Sequence, residues 1–308
     1  PKFRVFRADG SHGLQPAVGA FQPSSARNSF RADIKAFIED ELCGQYVVKY
    51  DGLAGGKGVK VSGEHLKSVA DGVAYALACM EKGGQVVIEE KLEGCEFSLM
   101  SFVSGKTVVS MPAVQDHKRA FEGETGPNTG GMGSYSDADH SLPFLRPEDI
   151  GEAHALNVRT AEVLLKECGE PYRGILYGGY MVTRRGVRLI EYNCRFGDPE
   201  ALNVLPLLKS DFVAICQAIL SGELNTNLVQ FERKATVCKY IVPQGYPEKK
   251  DQKGQVVEFP SVGPKARIYF GDVSEAPDDT LQLGFSRAAG IVGIGETIAE
   301  AEGIAQEL

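Results

Sequence analysis

Apolar positions recur at helical spacing in residues 33–42, where Ile34, Phe37, Ile38 and Leu42 share a face. They do so again in residues 64–82 through Leu66, Val69, Val73 and Leu77. A period near 3.6 predicts two amphipathic helices. Between them, the β-branched run at Tyr46, Val47 and Val48 and the segment VKV at 59–61 predict two strands of a hairpin joined by a glycine-rich turn. Short apolar strands follow at residues 85–92 (QVVIEEKL), 107–114, 177–181 (YGGYM) and 187–195. Two stretches lack any period. Residues 11–32, rich in Ser, Gly, Pro and Ala, are expected to form a loop or insertion. Residues 115–135, almost without large apolar side chains, are expected to form a long loop. Beyond about residue 230 the sequence turns β-rich (ATVCKYIVPQGYP, GQVVEFP, RIYFGDV, RAAGIVGIGET) and closes on a helix-like segment at 298–308.

A length of 308 residues exceeds one typical domain, so two or three packed units are expected. The net charge of -8 argues against nucleic acid as the main partner and leaves basic residues to act locally. Seven scattered cysteines, with no C-x-x-C pair, suit reduced thiols better than a disulfide framework or a zinc site. No apolar run approaches the ~20 residues of a membrane span, and no signal peptide is visible. A cytoplasmic protein without a membrane or nucleic-acid partner is therefore expected, as a monomer or weak homodimer.

Candidate chemistry gathers in three stretches. In YVVKYDGLAGGKGVK, Lys49 and Lys57 flank or join the glycines Gly52, Gly55, Gly56 and Gly58. A strand running into such a turn brings backbone N–H groups close to an anion, with a nucleotide phosphate as the obvious ligand. A Walker A loop is excluded because Gly58 follows Lys57 where Ser or Thr is required, and the spacing does not match a dinucleotide fingerprint. A plain glycine-rich turn with a solvated lysine remains open. The strand at 85–92 ends in Glu89 and Glu90, with Glu96 beyond it. Its apolar slot and carboxylates suit an adenine and its ribose, or else form a solvated acidic turn.

The second stretch, QDHKRAFEGETGPNTGGMGSY, packs Asp116, His117, Lys118 and Arg119 ahead of a glycine-rich body and suits a loop closing over substrate. Asp116 can bind an ammonium and Lys118 or Arg119 a phosphate, with His117 in a minor role. In the third, VRLIEYNCRFGDPE, an extended backbone projects Glu191, Asn193 and Arg195 to one side. A carboxylate and an amide oxygen two residues apart suit Mg²⁺, and the guanidinium beyond them suits a transferring phosphoryl group. An exposed polar strand face is the alternative.

Taken together, VVKYDGLAGGKGV, QDHKR with GPNTGGMGSYS, and IEYNCRFGDPE resemble the ATP-grasp enzymes and, more narrowly, the phosphoribosylamine–glycine ligase family of purine biosynthesis. The likeness runs from about residue 1 to the carboxy end, and YVVKYDGLAGGKGVKVSGEHL and EFSLMSFV resemble the archaeal type. The resemblance implies an α+β ATP-grasp fold of two subdomains clasping ATP: residues 1–92 with the loop at 11–32, residues 93–230 with the metal site, and a small β-rich domain at 231–308.

It further implies that Lys49, Lys57 and the loop from 52 to 58 hold the ATP phosphates, that Glu89, Glu90 and Leu92 belong to the adenine hinge, and that Glu96 faces the ribose. Glu191 and Asn193 would ligate Mg²⁺ (or Mn²⁺), Arg195 would stabilise the charge that develops on transfer, Asp116 and residues 126–133 would enclose glycine and 5-phosphoribosylamine, and Lys118 joins Arg195 and Asp116 as a catalytic candidate. The alternatives are another carboxylate–amine ligase of the superfamily and an ATP-binding module without turnover. Family members begin with a Rossmann-like domain, which is expected to be missing ahead of Pro1. Gly179 stands where some related enzymes place a further metal ligand.

Overall fold

The apolar stripe that the sequence shows from Ile34 begins one turn earlier, at Phe30. Phe30, Ile34, Phe37 and Ile38 are all buried in the core of the first unit. In the computed structural model they lie on α1 (Ser24–Ala36), which continues as a π-helical turn over Phe37–Glu41. Residues 24–32 are therefore helical rather than part of a loop; the segment contains no Gly or Pro to break a helix, and Ala26, Arg27, Arg31 and Ala32 are good helix formers. The structure describes residues 1–7, 24–52, 58–249 and 252–308, with side chains in the first helix described from residue 30 onward. The described chain divides into two compact units, Pro1–Glu93 and Gly94–Leu308.

In the first unit, β1 (Phe3–Arg7), β2 (Tyr46–Tyr50), β3 (Val59–Val61) and β4 (Gln85–Glu90) form an antiparallel sheet in the order β1-β4-β2-β3. Phe6, Tyr46, Val48, Val86 and Ile88 point from it into the core. The second helix, α2 (Val69–Gly83), starts five residues later than the apolar period alone predicts. The reason is a capping box: Ser68 Oγ accepts the Asp71 N–H at 3.2 Å, and the Asp71 carboxylate accepts the Ser68 N–H at 2.9 Å. The strand predicted over 85–92 stops at Glu90.

The second unit opens with β5 (Cys95–Ser104) and β6 (Thr107–Ser110), and then β7 (Gln115–Phe121) and β8 (Thr125–Ser136). After the long helix α3 (Pro147–Cys168) come β9 (Arg173–Thr183), β10 (Gly186–Asn193), α4 (Glu200–Val204) and α5 (Phe212–Ser221). One sheet has the order β10-β9-β5-β6, and its faces are packed by α3 and α5. The remaining elements are β11 (Ala235–Ile241), β12 (Val256–Val257), β13 (Ala266–Phe270), β14 (Val273–Glu275), β15 (Leu281–Leu283), β16 (Ala289–Gly295) and α6 (Ile298–Glu307).

Residues 115–135 are thus not a loop. β7 and β8 pair as an antiparallel hairpin and extend a five-stranded sheet, β13-β16-β11-β8-β7. That sheet draws strands from both sides of residue 230. Glycines usually weaken a strand, but here they permit a close backbone approach. Gly133 lies opposite Lys239, and a Cβ on it would stand 2.7 Å from the Cys238 carbonyl oxygen. No helix among the described residues is long and apolar enough to cross a membrane.

Candidate functional site

The hairpin of the first unit is closed by the Tyr50 N–H, which donates to the Gly58 carbonyl at 2.9 Å. Within it Lys49 Nζ pairs with the Glu89 carboxylate of β4, both side chains largely buried. Val47 faces Glu89 in the register, so Lys49 and Glu89 are diagonal neighbours on one face of the sheet. The predicted phosphate lysine and the predicted hinge carboxylate therefore meet each other. Glu90 ends β4 opposite Tyr46, and Leu92 follows the strand, half-buried. Gly52 and Gly58 flank the turn, while Gly55, Gly56 and Lys57 lie outside the described residues.

In the second unit the alternation of β7 divides QDHKR between two sides. Lys118 Nζ lies 3.6 Å from Asp116 Oδ2 and 3.7 Å from Glu96 Oε2, on β5. His117 and Arg119 belong to a different set of contacts: His117 Nδ1 pairs with Glu124 Oε1 at 2.8 Å, and Arg119 donates to the Gly126 carbonyl at 3.0 Å. Burial alone would lower the Lys118 pKa, yet Asp116, Glu96, Glu200 and Glu191 together hold it above the ordinary lysine value. The ammonium stays charged across the neutral range and sits within a ring of carboxylates.

Two members of this group carry no marker in the sequence reading. Glu200, at the start of α4, is only 2% exposed and accepts the Tyr177 hydroxyl of β9 at 2.8 Å. Desolvation raises its carboxyl pKa, Asp116 raises it further, and Tyr177 and Lys118 offset part of the rise. The Tyr177 hydroxyl is pushed well up by burial and by Glu200, Asp116 and Glu191. The one available signal was the motif FGDPE, where a glutamate on the first helical turn faces inward.

A bulge between Leu189 and Glu191 resets β10 against β9, after which Glu191 and Asn193 share a side: Asn193 Nδ2 donates to Glu191 Oε1 at 3.1 Å. Arg195 lies beyond the strand end, its guanidinium 5.7 Å from the Tyr177 ring centroid and donating to the Phe196 carbonyl at 2.8 Å. Gly179 pairs with Glu191, and a Cβ there would sit 3.6 Å from the Glu191 Cγ. Among the described residues no group of three or more His, Cys, Asp or Glu side chains is arranged to hold a metal. One carboxylate and one amide oxygen fit Mg²⁺ as a partial shell, the kind that water and substrate phosphate complete.

Comparison with known proteins gives the family of the chain. Residues 22–201 match the model of the phosphoribosylglycinamide synthetase ATP-grasp (A) domain. The chain belongs to this family. Its fold is the ATP-grasp fold. Phosphoribosylamine–glycine ligase of Methanocella arvoryzae is 48% identical over 277 residues, 89% of this chain and 62% of the relative. The ligase of Methanococcus maripaludis is 46% identical over 290 residues, 92% and 65% of the two chains. This family member thus spans less than two thirds of the length of those curated relatives.

Among solved structures, phosphoribosylamine–glycine ligase from Thermotoga maritima superposes with a TM-score of 0.78 at 32% identity, covering 100% of this chain and 70% of that one. The biotin carboxylase domain of Hydrogenobacter thermophilus 2-oxoglutarate carboxylase, solved with MgADP and bicarbonate, shares the fold at a TM-score of 0.60 and 14% identity, covering 85% of this chain and 55% of that one.

Proposed function

We propose that the chain carries the ATP-dependent ligation of glycine to 5-phosphoribosylamine, giving glycinamide ribonucleotide, ADP and phosphate. The observation that supports this reading best is the convergence of the second and third motifs: Asp116 and Lys118 share their electrostatic surroundings with Glu191, Glu200 and Tyr177. An ammonium ringed by carboxylates, next to oxygen ligands and a guanidinium, suits a site that handles an amino acid, a metal-bound triphosphate and an amine. Lys49, Lys57 and the glycines at 52–58 bind phosphate in this reading, Glu89, Glu90 and Leu92 receive the adenine, and Glu96 receives the ribose.

Glycine docks with its ammonium toward Asp116 and its carboxylate toward Lys118. A carboxylate oxygen attacks the γ-phosphorus, the bond to the β-γ bridging oxygen breaks, and ADP leaves. Arg195 stabilises the charge on the transferring group, the role for which preorganised donors are effective. Glu191 and Asn193 would hold Mg²⁺, which would supply charge neutralisation on the phosphates when bound. The amine nitrogen of phosphoribosylamine then attacks the acyl carbon of glycyl phosphate and loses a proton as phosphate departs. No protein nucleophile is required, so positioning and exclusion of water carry the catalysis.

The test is ADP release from ATP and Mg²⁺ with glycine, with and without freshly generated 5-phosphoribosylamine, on the chain alone and with the part of a curated relative that the chain does not match supplied in trans. Release that requires both glycine and the amine supports the ligase. Release driven by another acid points to a related carboxylate–amine ligase, and ATP binding without turnover in either arm points to a nucleotide-binding module.

A further inference from the structure

Outside the carboxylate ring, one guanidinium joins three segments of the second unit. Arg287, between β15 and β16, donates from Nη1 to the carbonyls of Gly130 at 3.2 Å and Gly131 at 2.9 Å, and from Nη2 to Asp198 Oδ2 at 2.7 Å. The Arg287 guanidinium lies 4.3 Å from the ring centroid of Tyr240, on β11. The Tyr240 hydroxyl donates to the other Asp198 oxygen at 2.5 Å. The Arg287 side chain is 14% exposed.

The segment that presents Arg287 is itself fixed. Asp272 Oδ2 accepts the N–H groups of Phe285 at 2.6 Å and Ser286 at 2.7 Å, and the Asp272 N–H donates to the Arg287 carbonyl at 2.8 Å. The glycine pair is shaped to this contact. A Cβ on Gly130 would stand 3.0 Å from the guanidinium, and one on Gly131, at φ +118°, would stand 2.6 Å from Pro199 Cδ.

We infer that Arg287 is a positioning residue of the ligase site, setting the spacing between the glycine strand after Asp116 and Lys118 and the turn at 196–199 that follows Arg195. This inference rests on the proposed ligase function. An ion pair whose carboxylate side chain is 57% exposed adds little stability, whereas a planar fork with three acceptors on two segments fixes geometry. The strand held by Arg287 includes residues 126–133, the segment proposed to enclose glycine and the amine. Its displacement would therefore act on the acid substrate and leave the nucleotide unaffected.

The variants are Arg287→Ala and Arg287→Lys, assayed with the unmatched part of a curated relative in trans and followed by amide hydrogen exchange of residues 128–133 on the chain alone. For Arg287→Ala the expected result is a loss in kcat/KM for glycine of about 10–100-fold, with the KM for ATP within about twofold. Faster exchange at 128–133 should accompany the loss. Arg287→Lys should recover part of it, because one cation can still bridge Asp198 and a carbonyl. Unchanged glycine kinetics, or equal losses for glycine and ATP, would overturn the positioning role. If the unsubstituted chain shows no glycine-dependent turnover, the ligase reading fails instead. The exchange data then decide the tether: unchanged protection in Arg287→Ala overturns it.

Discussion

Between Tyr50 and Gly58 the glycines flank the turn of a hairpin, whereas between Gly126 and Gly133 they lie within a strand. Each stretch stands near a lysine paired with carboxylates, Lys49 with Glu89 in the first and Lys118 with Asp116 and Glu96 in the second. The surroundings differ. A Cβ on Gly52 would stand 2.6 Å from Tyr50 Cε1, at the outer edge of a ring that also lies against Gly83. A Cβ on Gly131 would meet the ring of Pro199, at a backbone angle that L residues rarely adopt. Both positions are close-packed, but the first is met by the edge of a side chain and the second by a proline ring at a strained backbone angle. Under the proposed function the first stretch serves nucleotide affinity, and the second serves the chemistry on the acid.

The sharpest test of that division is Arg195→Ala, expected to lower turnover by ~100-fold while nucleotide affinity, read by calorimetry, stays within about twofold. A fall in affinity matching the fall in turnover would erase the distinction between the two regions. Next comes Gly131→Ala, which combines strain at positive φ with overpacking against Pro199 and should destabilise the second unit by ~2–4 kcal/mol in denaturant unfolding. A midpoint equal to that of the unsubstituted chain would mean that the strand relaxes freely. Gly52→Ala should cost less stability than Gly131→Ala, since its obstacle is the outer edge of one side chain and no positive φ adds strain, and its larger effect should fall on ATP affinity. If Gly52→Ala destabilises as much as Gly131→Ala, the contrast between turn and strand is wrong.

The two stretches were also unequally legible in the sequence. Val47, Val48 and the glycines after them announce a strand and a turn because the apolar run and the breakers are separate. In TGPNTGGMGSYS the breakers lie inside the strand, and what keeps it extended is the pairing of residues 133–136 with β11, a hundred residues away. Local composition carries no trace of that partner. The same holds for the first helix, whose stripe was visible from Ile34 while Phe30 stood hidden among Ser, Arg and Asn.

Of the site residues, Asp116, Lys118, Glu191 and Asn193 were marked by motif and alternation. Glu200 was overlooked because its inward orientation depends on the helix that begins at FGDPE. Arg287 was missed because FSRAA is locally unremarkable, and its acceptors at 130, 131 and 198 are distant in the chain.

Glu200 gives the smallest effect and the most specific one. Its raised pKa means that ionisation is less favourable in the folded chain than in the unfolded one, chiefly because of desolvation and then because of Asp116. The penalty is absent below the unfolded carboxyl pKa and grows as pH rises toward the folded value, above which it stays constant. Glu200→Gln keeps an acceptor for the Tyr177 hydroxyl and removes the charge. It should therefore raise the thermal midpoint by a few degrees at pH ~8, and the gain should shrink as pH falls and vanish near pH ~3, below the unfolded carboxyl pKa, where both states of the unsubstituted chain carry a protonated Glu200. A loss of stability at pH ~8 would mean that attraction to Lys118 outweighs desolvation. The ring of carboxylates would then be held together by its lysine, and the second stretch would resemble the Lys49–Glu89 pair of the first.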